Sequence, residues 1–353
     1  MSDSVAWIEA FDESACAWAG PKMARLGELK RIGVRVPDAF VVPVASFHRF
    51  FGAGHLRSRI EAALASASLA DVASIAACAL AIHQWVMEAP IDAADQSAVE
   101  QAYQALAVRS GQSTPRVAVR SSATKEDSAT ASFAGQYTTV LGVSGAEAVA
   151  AALKACWASF FSSHALDYRL RHAVDHWSSP MAVGVVALVD AQAAGVAFSA
   201  HPVSGKRDRC VVEGSFGWGE AVVQGLVTPD HIELDHANGR VLDYTIGDKR
   251  VLSTFDPVVG RVVEVDMPME RRTQRVLSDA AIAGIFEALM RIESHYGDPV
   301  DIEWVVGHHD AQGGSVISVV QTRPITTLAA VPAPTASWDP SSYARKYGLA
   351  GVR

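Results

Sequence analysis

Residues 117–139 read VAVRSSATKEDSATASFAGQYTT, and the rest of the chain is organised around them. Val117 and Val119 alternate with small residues, a pattern that predicts a buried strand ending on Arg120. From there to Thr139 the residues are mostly Ser, Thr, Gly and Ala, with two acids, a lysine and almost no bulky apolar side chain. Such a segment cannot fill a core. Small hydroxyl residues and Gly135 let backbone N–H groups come close to a ligand, and Arg120 supplies a fixed positive charge. A polyphosphate asks for that combination of many donors, low bulk and one or two cations. The same composition also suits a flexible surface loop, and the stretch by itself leaves both readings open.

The bulk properties narrow the class. A chain of 353 residues, half of them hydrophobic, can bury a large core and has length for two or three domains. A net charge of −8, with no Lys/Arg block, argues against a nucleic-acid surface, so phosphate chemistry must rest on a few placed cations. Cys16, Cys78, Cys156 and Cys210 are scattered, with neither a CxxC nor a metal-ligand spacing. Cys156 falls in an apolar helical pattern, which predicts core packing in a reducing compartment. The first thirteen residues are polar and acidic, unlike a signal sequence, and no apolar run reaches membrane-span length. A cytoplasmic protein without a membrane partner is the expectation.

Working outward, Gly20-Pro21 is a helix-entry signal that places Lys22 in a first turn, near orphan N–H groups where an anion is welcome. Residues 45–108 read as alanine-rich helices and carry no identifiable chemistry. Ala146–Leu170 reads as a helix with Val149, Leu153, Trp157, Phe160 and Phe161 as its buried stripe. Ser278 and Gly297 bracket another helix, with Ile282, Ile285, Leu289 and Ile292 facing inward. Then Val300-Asp301-Ile302-Glu303-Trp304 alternates, so Asp301 and Glu303 share one strand face. A returning strand ending Gln321-Thr322-Arg323 places Gln321 opposite Glu303 and Arg323 near Asp301 if the turn is symmetric. Hard oxygen ligands with an arginine beside them suit Mg²⁺ and phosphate, though a surface hairpin with a salt bridge has the same pattern.

VRSSATKEDSATASFAGQY resembles the signature of the ATP-binding domain found in phosphoenolpyruvate synthase, pyruvate phosphate dikinase and rifampin phosphotransferase. GPKMARLGEL is similar to that family's GGKGANLGEL, with Pro21 and Met23 in place of glycines, a change that predicts a stiffer loop. MAVGVVALV matches a strand that usually ends V-Q-x-M-V, with Val186 where the glutamine stands. GVAFSAHPVSG carries His201 at an aspartate position, EGSFGWGE resembles E-A-S-x-G-L-G-E, and the hairpin nearly completes D-I-E-W…Q-x-R-P-I-T. The resemblance is collinear over roughly residues 16–327.

It implies an α+β chain with an ATP-grasp fold, two lobes of mixed or antiparallel sheet and an alanine-rich helical insertion. Residues 1–186 are the expected N-terminal lobe, with the insertion at about 45–108, and residues 187–327 the C-terminal lobe with the metal hairpin. Residues 328–353, with Pro332, Pro334, Trp338, Tyr343 and Tyr347, are the expected linker and docking tail. The implied cofactors are ATP and Mg²⁺. Lys22, Arg120 and Arg323 are the implied phosphate cations, Glu303 and Gln321 the metal ligands, and Gly135 and Thr139 further phosphate contacts. The backbone of Ala187 and Leu188 is the implied adenine contact. The family's phosphohistidine follows a glycine pair that none of the 12 histidines has, His164 in SSHA included. The resemblance therefore implies a separate ATP-binding subunit, as in phenylphosphate synthase-type systems. A histidine on another protein takes the β-phosphoryl group, AMP and phosphate leave, and a small acceptor such as a phenol or cresol is phosphorylated in turn. Two other classes stay open: a decayed regulatory module, favoured by Pro21, Val186 and His201, and a direct kinase that yields ADP.

Overall fold

The alternating stretches become two antiparallel sheets that meet where one strand ends. The computed structural model describes residues 4–67, 71–125, 127–128, 131–132, 137–223, 225–256, 258–307 and 316–325. Gly135 and the proposed tail lie outside the described residues. The first half runs β1 (Ala6–Trp7), α1 (Ala15–Arg31), β2 (Ala39–Val42), α2 (Val44–Gly52), α3 (Leu56–Ser66), α4 (Val72–Glu88) and α5 (Ala93–Ser110). It continues with β3 (Val117–Ala123), the short β4 (Asp127–Ser128) and β5 (Ala131–Ser132), β6 (Thr139–Val143), α6 (Ala146–Ser159), α7 (Ser163–Arg171) and β7 (Met181–Ala187). The second half holds β8 (Ala193–Phe198), β9 (Arg209–Phe216), α8 (Glu220–Val223), β10 (Asp230–Asp235), β11 (Val241–Thr245), β12 (Val251–Asp256), β13 (Arg261–Asp266), α9 (Asp279–Tyr296), β14 (Val300–Gly307) and β15 (Val316–Pro324).

The first sheet has the order β1-β2-β7-β3-β6 and the second β11-β10-β9-β8-β14-β15. Every named strand pair among the described residues is antiparallel, so the sheets are not mixed. The chain changes sheet between Ala187 and Ala193. One core lies between the first sheet and α2–α7. The other joins α1, the opposite face of the first sheet, the second sheet and α9. Helix α1 thus serves both halves. It lies against β3 and β7 and also reaches β15.

Several local readings hold. The Ser278 hydroxyl accepts from the Ala281 N–H, Gly297 ends α9 at φ 74°, and the four-residue aliphatic stripe is buried. Cys156 is a fully buried free thiol whose pKa burial pushes up to about 12. Others change. The strand at Val117 runs three residues past Arg120, because Ser121–Ala123 pair with Val183–Met181 of β7. Small polar residues hid this continuation, since Ser121 and Ser122 are both fully buried. The helix read over 146–170 breaks at Phe160, and the Ser162 hydroxyl caps α7 through the Ala165 N–H. Among the described residues no single helix is long and apolar enough to cross a membrane; α4 and α5 pass only as a pair bent by 77°.

Two imidazoles of the helical half, partly buried His176 and exposed His48, have their pKa values lowered by the fold. Burial lowers the pKa of His176, and the Arg169 guanidinium beside it adds to the effect. Burial, then Arg57, does the same at His48. Folding thus releases protons from both, and the stability this gives is complete above the unfolded value of about 6.5. It is lost as the pH falls through the lowered folded values. The urea midpoint should therefore fall between pH 7 and pH 5.5, above the range where carboxylates titrate, and the slope should flatten in a His48→Gln, His176→Gln double variant.

Candidate functional site

Arg120 projects from β3 toward the second sheet and meets the hairpin of β14 and β15. Its Nη2 donates to the Gln321 Oε1 at 2.7 Å and lies 3.6 Å from the Glu303 Oε2. Its Nη1 donates to the Val320 carbonyl at 2.8 Å. Glu303 pairs with Gln321 and Asp301 with Arg323, the register the alternation predicts. The turn is not symmetric, however. Trp304 pairs with Val319, so Val320 is an extra residue bulged from β15. Its carbonyl is the one given to Arg120.

On this face one row of the register runs His231, Glu213, Val196, Glu303 and Gln321 across the second sheet. The row beside it ends Phe198, Asp301, Arg323. Ile302 and Trp304 point the other way, into the core over α9. Arg323 Nε donates to Asp301 Oδ1 at 3.3 Å. Burial raises the Asp301 pKa, against the pull of Arg323. A partly buried carboxyl that a guanidinium keeps company is a positioning group for that guanidinium.

Helix α1 brings the third edge. At Gly20 the helix is broken, with φ 71° and ψ 160°, and Lys22 enters the first turn after the break. A Cβ at Gly20 would collide with the Ser122 carbonyl, so only glycine permits this approach of α1 to β3. The Met23 N–H then reaches the Ser122 hydroxyl at 3.4 Å. Met23 itself is 1% exposed and packs over Gly184 of β7, where no larger residue fits. Gly184 thus leaves the room that the Met23 side chain fills, and the methionine stays buried.

Sequence reading missed Arg25, one turn beyond Lys22. It donates to the Thr322 carbonyl at 3.5 Å and helps hold the Asp301 charge. Its signal was the i, i+3 spacing from Lys22 on one helix face. Trp218 was also missed: its indole N–H donates to the Val189 carbonyl at 3.1 Å, beside the point where the chain changes sheet. Thr139 is exposed and pairs with Arg120 across β3 and β6, so these two proposed phosphate contacts share one spot. Ala187 and Leu188 are less available. Their N–H groups donate to the carbonyls of Asp38 at 2.8 Å and Arg116 at 2.9 Å, leaving at most carbonyl acceptors for a base. His201 has a local task. Its Nδ1 accepts from the N–H groups of Val203 and Ser204, both at 3.2 Å, as a turn-capping aspartate would.

A cation fits the hairpin on one observation: the Arg120 guanidinium already stands where the Glu303 and Gln321 oxygens converge. Among the described residues no three His, Cys, Asp or Glu side chains form a metal cluster. Mg²⁺ takes few protein oxygens and completes its shell with water and phosphate, so a carboxylate and an amide oxygen are the kind of donors it uses. A carboxylate and an amide oxygen beside Arg120, with Arg323 on Asp301 and Arg25 at the Thr322 carbonyl, are groups able to hold a polyphosphate and its counter-cation.

The comparisons agree with that class. A family model described as the pyruvate phosphate dikinase AMP/ATP-binding domain matches residues 17–339. The chain is 39% identical over 328 residues to a probable phosphoenolpyruvate synthase of Methanothermobacter thermautotrophicus, covering 93% of this chain and 47% of that protein. It is 39% identical to a rifampicin phosphotransferase of a Streptomyces species, covering 92% of this chain and 36% of that protein. It is also 37% identical to the phosphoenolpyruvate synthase of Pseudomonas aeruginosa, covering 87% and 40% respectively. The chain belongs to the pyruvate phosphate dikinase AMP/ATP-binding domain family. It spans less than half the length of these relatives.

Proposed function

We propose that the chain binds Mg-ATP between its two sheets in the ATP-grasp manner and acts as the ATP-binding part of a dikinase-type phosphotransferase. The observation that carries this is the meeting of Arg120 from the first sheet with Glu303 and Gln321 from the second. Glu303 and Gln321 would hold the Mg²⁺, which supplies charge neutralisation on the transferring group. Lys22, Arg120 and Arg323 bind and orient the phosphates, with Thr139 beside Arg120. Asp301 holds Arg323 in place through the 3.3 Å contact. Positioning and electrostatics supply most of the catalysis in phosphoryl transfer, so this chain needs no general base of its own.

The nucleophile in this reading is an imidazole nitrogen of a histidine on a separate partner protein. It forms the new N–P bond to the β-phosphorus while the β-phosphorus–oxygen bond to AMP breaks; AMP leaves, and water then takes the terminal phosphoryl group from the pyrophosphoryl-histidine, its P–O bond to the β-phosphoryl group breaking, so that phosphate leaves and the histidine keeps one phosphoryl group. The partner then passes its phosphoryl group to a small acceptor, of which a phenol or cresol is the example we favour. A cytoplasmic setting accords with three buried cysteines left as free thiols.

Product analysis tests the reading. The protein is incubated with Mg-ATP, alone and with a histidine-bearing partner domain from a relative, and AMP is resolved from ADP. Partner-dependent AMP supports the split dikinase. ADP from the isolated chain would establish a direct kinase instead, and tight ATP binding without either product would leave a regulatory module.

A further inference from the structure

The second sheet has a reverse face, and a cavity opens on it. Phe216, Ala193 and Val306 form one row of the register across β9, β8 and β14. Ala193 and Val306 pack into the core that holds Ile302 and Trp304, so the row faces away from Glu303. With Leu277 ahead of α9 and Leu252 and Thr254 of β12, this row lines a cavity of about 480 Å³. That volume is in the range of sites that take small molecules.

The walls are held by hydrogen bonds. The Val276 N–H donates to Asp230 Oδ2 at 2.8 Å and the Leu277 N–H to the Tyr244 hydroxyl at 3.3 Å. The Trp218 N–H donates to the Ser253 carbonyl at 3.1 Å, which fixes β12 against the end of β9. The single helical turn Met269–Arg271 is pinned behind by the Lys249 N–H, which donates to the Arg272 carbonyl at 3.0 Å.

That turn brings one charge to the cavity. The Arg271 guanidinium lines it and lies 4.4 Å from the centre of the Phe216 ring. The neighbouring arginines each have an acid: Arg250 and Arg272 pair with Asp248, and Arg275 with Asp279. Among the described residues Arg271 has none, although the chain carries 38 acids against 30 bases. A guanidinium is a rigid fork of donors that fits a carboxylate. Phe216, Leu252, Leu277 and Val306 supply apolar surface beside it. Charge at one point and apolar walls elsewhere suit an amphipathic anion better than an inorganic one, which would leave those walls wet.

We propose that this cavity binds a small organic anion, with its carboxylate on Arg271 and its apolar body against Phe216 and Leu277. The site lies across the second sheet from Glu303 and is independent of the Mg-ATP reading.

The probe is 2-naphthoate, measured by calorimetry against its neutral isostere 2-naphthamide. Wild type should bind the acid about tenfold or more tightly than the amide. Arg271→Gln should remove that preference and leave amide affinity and melting temperature near wild type, since Arg271 is exposed. Arg271→Lys should keep part of the preference, because an ammonium retains the charge and loses the fork. Thr254→Trp, which fills the cavity from β12, should lose both probes. A wild-type chain that does not bind the acid, or binds it no better than the amide, would overturn the inference. So would an acid affinity left at the wild-type value by both Arg271→Gln and Thr254→Trp.

Discussion

Glu303→Gln should abolish the Mg²⁺ dependence of nucleotide binding and lower any phosphoryl transfer by about a hundredfold or more. The size follows from removing one preorganised charge from a site where developing charge is held, which costs roughly 3 kcal/mol in such settings. The substitution is nearly isosteric, and Glu303 sits on the cleft face of β14 while its neighbours Ile302 and Trp304 carry the packing. The fold should therefore survive. Binding is measured with Mg-ATP and with ATP plus chelator: wild type should separate the two and the variant should not. A variant that keeps the wild-type Mg²⁺ response would remove Glu303 from the metal site.

The largest stability effect should come from Asp230, far from that hairpin. Asp230 and Lys249 are both fully buried and lie 2.5 Å apart. The carboxylate also accepts from the Gly247 N–H at 3.1 Å, the Tyr244 hydroxyl at 2.7 Å and the Val276 N–H at 2.8 Å. It therefore ties the start of β10 to the end of β11 and to the segment entering α9. Removing one partner of a buried pair costs about 3–5 kcal/mol. The two partners are unequal. Lys249→Met leaves Asp230 with three donors and should sit at the low end. Asp230→Leu leaves a buried ammonium and three other donors without their acceptor, so it should reach the high end, lowering the urea midpoint by roughly 1 M or more. Equal costs for the two would mean that the ion pair, and not the surrounding donors, dominates the node.

The β14–β15 hairpin and α9 were legible because each carries its own period. Asp301 and Glu303 alternate with Ile302 and Trp304, and α9 has a serine cap, an aliphatic stripe and a terminal glycine in order. The end of β3 was not legible, since Ser121 and Ser122 look like loop residues and are buried in a sheet. Met23 read only as a residue that stiffens its loop, because Gly184, which makes room for it, is 161 positions away in the sequence and adjacent in space. Arg169 illustrates the same limit. An arginine among helical residues reads as a solvated charge, and only the fold shows it under Phe160. The strap formed by β12 and β13 was equally hidden, although Phe255 lies within 3.0 Å of the space above Gly142 in the first sheet.

The bulge at Val320 has a consequence for how β15 tolerates change. Strands count in twos, and Val319 and Gln321, two positions apart, would ordinarily face the same way. Here Val319 faces the core with Trp304 while Gln321 faces the cleft with Glu303. Val320 is thus one residue of slack between two halves that are out of step in numbering and in step in space. A one-residue deletion at 320 would leave every side chain on its present face and remove only the carbonyl that Arg120 uses. The same deletion elsewhere in the strand would invert one half unless the slack were drawn in to absorb it. The chain can lose one residue here without misdirecting its cleft, and it can do so once.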